Sequence, residues 1–199
     1  MSEKALENEQ LFAGIGVSNG TAYGKVFVVA HTNAQIPEYN VSDSQIDGEI
    51  KRFEQALMKT RTDIVSLKEE LAQKVGEKES SIFDAHLLVL EDVAIISETY
   101  SNLQDTKRNI EICYIEVVNR FLQAFEEIDD PFMRERIADI RDVSRRMINN
   151  LMGHEEKSSL NLGEPAILAS KDFTPSDFAF VDNTNRFSLA AGNRFWRSQ

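Results

Sequence analysis

The stretch EKESSIFDAHLLVLED, residues 77–92, decides how this chain is organised. Wound as a helix at about 100° per residue, it and its continuation carry two apolar rows. One row is Phe83, Leu87, Leu90 and Ala94; the other is Ile82, His86, Val89 and Val93. Together they cover more than half of the circumference, wider than the single stripe with which a surface helix docks on a core. Either neighbours within the chain bury this helix on two sides, or one row packs inward while the row bearing His86 is offered to a partner protein.

Upstream, residues 42–75 place Ile46, Ile50, Phe53, Leu57, Ile64, Leu67, Leu71 and Val75 at helical steps. The pattern predicts one long helix with a seam like that of a helical hairpin, capped by Ser42 or Ser44 and ended by Gly76. Downstream, Asp92 is placed to cap a further segment towards Leu103, with a kink near 91–92. A third helix is expected over 107–128, carrying Ile110, Cys113, Tyr114, Val117, Phe121, Leu122 and Phe125 on one side. The fourth has the clearest start, with Asp130 as N-cap and Pro131 at the first helical position, and it stops at Gly153. Short connections between four helices predict two antiparallel hairpins.

Both flanks of this helical region have β character. Residues 12–30, FAGIGVSNGTAYGKVFVVA, read as a strand near 12–17, a turn at 18–20 and a strand near 24–30; Pro37 lies in the connector that follows. After a polar linker at 154–162, EPAILA at 164–169 reads as another strand, followed by a turn at 172–177. A lone hairpin cannot bury its faces, so the later strand must complete its sheet. The expected class is therefore α+β: a four-helix subdomain of two helical hairpins, 42–153, inserted in an incomplete β-containing domain made of 12–41 and 154–182. A leader, 1–11, precedes it. The tail from 183 to 199, with Arg194, Trp196 and Arg197, does not read as a strand.

The 199 residues, 42% hydrophobic and 28% charged, suit a globular protein. The net charge of −11 argues against nucleic acid or an anionic membrane as main partner and is compatible with a basic protein. No run is long enough for a membrane span, and the polar start MSEKALENEQ is no secretory signal, so a cytoplasmic protein without membrane insertion is expected. Cys113 is a lone cysteine on an apolar face and is expected in the core.

Four stretches, VSNGTAYGK, SIFDAHLLVLED, RERIADIRDVSRRMINNLMG and ASKDFTPSD, occur in the order and at the spacing of one family. Over roughly 12–181 the chain resembles the N-terminal region of enzyme I, the phosphoenolpyruvate-protein phosphotransferase of the bacterial phosphoenolpyruvate:sugar phosphotransferase system. The resemblance implies that the β-containing part is a swivelling phosphohistidine domain and the helical insertion a docking domain for the phosphocarrier protein HPr. It carries over Glu77, Lys78, Ile82, His86, Leu88, Val89, Met133 and Arg136 as partner-binding residues. On that basis Phe83, Leu87 and Leu90 point inward, and Ile82, His86 and Val89 outward. The family's Mg²⁺ ligands, phosphoenolpyruvate site and dimerisation region belong to a C-terminal barrel absent from this sequence, so no cofactor is expected on this chain.

The family's phosphorylated histidine lies in a Gly-Gly-x-Thr-Ser-His segment, which by spacing from Thr174, Pro175 and Ser176 belongs near Gln199. The sequence there is NRFSLAAGNRFWRSQ, and Phe178 stands where a small hydroxyl residue is expected. A shifted reading frame with an early stop produces such an ending. Of the histidines present, His31, His86 and His154, the first and last read as surface residues and His86 as a contact residue. The expectation is a chain that docks HPr but lacks a catalytic residue and cannot by itself carry phosphate. Two alternatives stay open: an active phosphotransferase working through another histidine or a restored frame, and a purely structural helical module.

Overall fold

A computed structural model of the chain describes residues 21, 23–29, 35–154, 166–170, 174 and 188–191. The strand expected at 12–17, the turn at 18–20 and most of the turn at 172–177 lie outside the described residues. In chain order the elements are β1 (Lys25–Val29), α1 (Ile46–Val75), α2 (Glu77–Ser80), α3 (Ile82–Leu90), α4 (Val93–Thr106), α5 (Ile110–Glu126), α6 (Pro131–Leu151), β2 (Ala166–Ser170) and β3 (Ser188–Ala191). The chain is mostly helical with one small sheet.

Residue chemistry explains the helix limits. A single 3-10 turn, Asp43–Gln45, leads into α1, and Gln45 Oε1 accepts from the Ser42 backbone N–H at 2.8 Å in a capping box. Gly76 ends α1 at φ 111°, a conformation costly for any residue with a Cβ. The second expected helix is three pieces. At the turn between α2 and α3, Ser80 and Ser81 donate their hydroxyls to the carbonyls of Glu77 and Lys78, at 2.9 and 2.7 Å. Asp92 makes the second break, accepting from the N–H of Ala94 at 2.8 Å to start α4. Asp130 caps α6 through the N–H of Phe132 at 2.8 Å, with Pro131 at the first position.

The chain divides into two compact units, one holding the three strands and the other residues 35–154 with Thr174. In the helical unit α1 packs against α3 and α6, and α5 lies between α4 and α6. Phe53, Phe83, Ile64, Leu103, Ile110, Val117 and Met147 are fully buried. Phe53 meets the rings of Tyr100 and Tyr114 at 5.7 and 5.5 Å between centroids. Cys113 is core, as its apolar face requires, and burial raises its thiol pKa. Tyr114 is pushed up to about 12 by burial, with its hydroxyl on Ser144 Oγ at 3.3 Å.

The connector 35–41, which the sequence reading groups with the β-containing part, goes with the helical unit. Asn109 reaches back to it, donating to the Pro37 carbonyl at 2.9 Å and accepting from the Tyr39 N–H at 3.1 Å. Val41 N–H donates to the Lys107 carbonyl at 2.8 Å. Beneath this join, Arg52 pairs with Glu49 and Glu111, and Glu49 also accepts from the Ile110 N–H at 2.9 Å. Buried carboxylates persist there because each has a cationic or N–H partner.

The sheet has the order β1-β2-β3, all parallel, with Phe27 opposite Leu168 and Leu168 opposite Leu189. Parallel neighbours cannot be joined by a tight turn, and here the entire helical region is the crossover from β1 to β2. β3 corrects an expectation. It falls inside the tail that does not read as a strand, because SLAA has neither alternation nor β-branched residues. Its place is secured by backbone pairing to the buried β2, for which small side chains suffice.

Candidate functional site

The organising stretch becomes α2 and α3. Glu77 and Lys78 on α2 are exposed, as is Ile82 at 41%. His86 and Val89 are not: they are 1% and 5% exposed. The outward assignment of these two residues is corrected, while Phe83 and Leu90 are buried as expected and Leu87 is partly buried. On the helical wheel the buried arc runs from Val89 through His86 to Leu90 and Phe83, with His86 near its middle. The physical reason is that α3 has two neighbours, α1 and α6, so the chain itself covers part of each apolar row and leaves Ile82 and Val93 exposed. Leu88, about 200° round from His86, stays 65% exposed on the outer side.

His86 sits between two carboxylates of α6. Nε2 lies 3.2 Å from Asp139 Oδ1, and Nδ1 faces Asp142 Oδ2 at 3.8 Å. Asp142, with its side chain 2% exposed, accepts from Arg145 Nη2 at 2.6 Å. Phe83 meets the imidazole edge to face, 5.3 Å between centroids at 87°. A phosphoryl group is anionic, and neither ring nitrogen has an approach that avoids a carboxylate. The imidazole is therefore unsuited to nucleophilic phosphoryl transfer. His154 is exposed just after α6, and His31 lies outside the described residues. Among the described residues no group of three His, Cys, Asp or Glu side chains could hold a metal ion.

Helix directions place the remaining candidates. Arg61 pairs with Glu91 and Lys68 with Asp84, so α1 and α3 run antiparallel. Thr60 touches Met147 while Arg52 reaches the Leu151 carbonyl, so α1 and α6 are antiparallel as well. It follows that α3 and α6 are parallel and begin at the same end. Ile82 precedes His86 by about 6 Å of helix and Arg136 precedes Asp139 by about 4.5 Å, which brings Ile82 and Arg136 to a similar level. Met133 and Arg136 are each partly exposed. One residue at this end is missing from the sequence-based set: Phe132, 76% exposed. The signal was legible, since Phe132, Arg136 and Asp139 follow the i, i+4, i+7 stripe of α6, whose Asp139 end lies on His86.

The fold and this end define a two-part chain in which an inserted helical unit presents exposed apolar and charged side chains. The chain belongs to the family described as PEP-utilising enzyme, N-terminal, whose profile matches residues 13–136. It is 35% identical over 176 residues to the phosphoenolpyruvate-protein phosphotransferase of Enterococcus faecalis, covering 88% of this chain and 30% of that protein. It is 33% identical over 170 residues to the phosphoenolpyruvate-protein phosphotransferase of Bacillus subtilis, covering 85% of this chain and 30% of that protein. The chain thus spans about 30% of the length of the curated relatives it matches. An NMR solution structure of Enzyme I (nEIt) superposes with a TM-score of 0.74 at 28% identity, covering 92% of this chain and 75% of that one. The N-terminal domain of Enzyme 1 - Nitrogen, at 17% identity and a TM-score of 0.59, shares the fold. The chain corresponds to the N-terminal part of enzyme I. Among the described residues no helix is long and apolar enough to cross a membrane.

Proposed function

We propose that this chain serves as an enzyme I-type component of a phosphoenolpyruvate-dependent sugar phosphotransferase system, docking the phosphocarrier protein HPr. Contact is made by the shared end of α2, α3 and α6 and by the outer side of α3. The observation that carries this reading is the set of exposed apolar side chains on those helices, Ile82 at 41%, Leu88 at 65% and Phe132 at 76%. Exposed aromatic and aliphatic anchors with a charged rim are what a docking surface needs. Here the rim is supplied by Glu77, Lys78 and Arg136, while Met133 adds apolar surface. The net charge of −11 favours encounter with a basic partner. His86 and Val89 support the surface from beneath.

No phosphoryl group is carried by His86 in this reading, because the imidazole is buried against Asp139 and Asp142. Magnesium-dependent use of phosphoenolpyruvate is assigned to a barrel outside this sequence. Titrating isotope-labelled chain with HPr is expected to shift the amides of 77–82, 88 and 132–136, leaving those of α5 in place. Unchanged spectra at high HPr concentration would overturn the proposal.

A further inference from the structure

Leu88 and Ile82 ride on α3, a helix of only 9 residues set off by a turn at Ser81 and by the extended Asp92. No long rod dictates its position; its side-chain contacts must. Towards α1 its ion pairs, Lys68 with Asp84 and Arg61 with Glu91, join side chains that are all at least 36% exposed, and such pairs hold little. Towards α6 the helix turns His86, buried between Asp139 and Asp142, and a buried polar pair between packed helices sets their register. Here that pair is His86 with Asp139, at 3.2 Å, the imidazole being 1% exposed and Asp139 16%. Phe83 fixes the ring plane edge to face, and Asp142, anchored by Arg145, limits the ring's other side.

We propose that His86 and Asp139 are positioning residues for docking: without touching the partner, they hold the first turn of α3 level with the first turns of α6. This deepens the docking reading above and rests on it. A leucine at 86 fills similar volume but removes the donor, so α3 is free to shift while its apolar contacts persist. Glutamine keeps a donor in reach of Asp139. Asp139, partly exposed, has access to water when its partner is removed, which favours survival of the fold.

The test uses the whole chain with His86→Leu, His86→Gln, Asp139→Leu and the double variant H86L/D139L. Residual dipolar couplings in the free protein report the orientation of α3 against α6, and calorimetric titration reports HPr affinity. His86→Leu is expected to reorient α3 and weaken HPr binding about tenfold, His86→Gln to restore both, and H86L/D139L to bind no more weakly than either single variant. If His86→Leu does not fold, Asp139→Leu carries the same comparison. A folded His86→Leu or Asp139→Leu with unchanged couplings, or one that binds HPr as the parent does, overturns the positioning role. So do single-variant losses that simply add in the double variant. Failure of the parent chain to bind HPr removes the docking reading and this inference together, and is distinguishable because it precedes any substitution.

Discussion

Leu88 and Val89 are neighbours in sequence and opposites in environment, which makes an aspartate at each the sharpest test of where α3 faces. Leu88 is 65% exposed and Val89 5%. If HPr covers Leu88, it removes roughly 100 Å² of apolar surface from water, worth about 2.5 kcal/mol at about 25 cal/mol per Å², or a factor of roughly 70 in Kd. Leu88→Asp forfeits that contribution and adds the cost of desolvating a carboxylate, yet leaves the core intact, so Tm is expected to stay within a few degrees. Val89→Asp buries the carboxylate in the core of the helical unit. The cost is of the order of 4 kcal/mol, a large share of the roughly 5–15 kcal/mol that holds a domain together, and lowers Tm by roughly 15 °C if the unit folds at all. Calorimetric titration with HPr and thermal unfolding by circular dichroism read the two effects separately. A folded Leu88→Asp chain that binds HPr as tightly as the parent refutes the outer side of α3 as a contact. A Val89→Asp chain as stable as the parent refutes the burial of this helix on two sides.

Other substitutions probe the same architecture. Phe132→Ala should leave stability within about 0.5 kcal/mol, because the ring is 76% exposed, and weaken HPr binding about tenfold as measured by titration. Removing the cap with Asp130→Ala should lower stability to denaturant by about 1 kcal/mol and fray the turn that carries Phe132 and Met133, seen as faster amide exchange there. Burial pushes the Tyr114 hydroxyl up to about 12 from the usual 10, so the folded state holds its proton more tightly than the unfolded one. Stability is then full below pH 10 and falls as pH rises towards 12, by on the order of a few kcal/mol in total. Denaturant melts between pH 9 and 12 check the slope, and Tyr114→Phe should flatten it.

Several features of the fold were legible before any coordinates because they are local. Gly76, Asp92 and Asp130 with Pro131 end or start helices through one residue's backbone preference or one side chain's hydrogen bond, and each does so at the position read from sequence. The turn at 80–81 escaped, since serines bond preceding carbonyls inside unbroken helices too, as Ser101 does in α4, and so mark no break in the sequence. The seam of α1 was legible for the same reason, its spacing being a property of one helix. Of the candidate site only exposure can be compared: Glu77, Lys78, Ile82 and Leu88 are exposed and Met133 and Arg136 partly so, while His86 and Val89 are core and the exposed Phe132 was passed over.

By itself the sequence determined the helical segments, their caps, the β character on both flanks and the family. Tertiary structure decided which way α3 faces, that 35–41 attaches to the helical unit through Asn109, and that SLAA pairs with β2. The division has a physical cause. Periodicity counts apolar residues around one helix, but whether a wide stripe is a double burial or an offered surface depends on how many neighbours arrive. For His86 the neighbour is α6, and the two carboxylates that α6 brings make a buried histidine a structural partner where the same residue in solvent would be a contact.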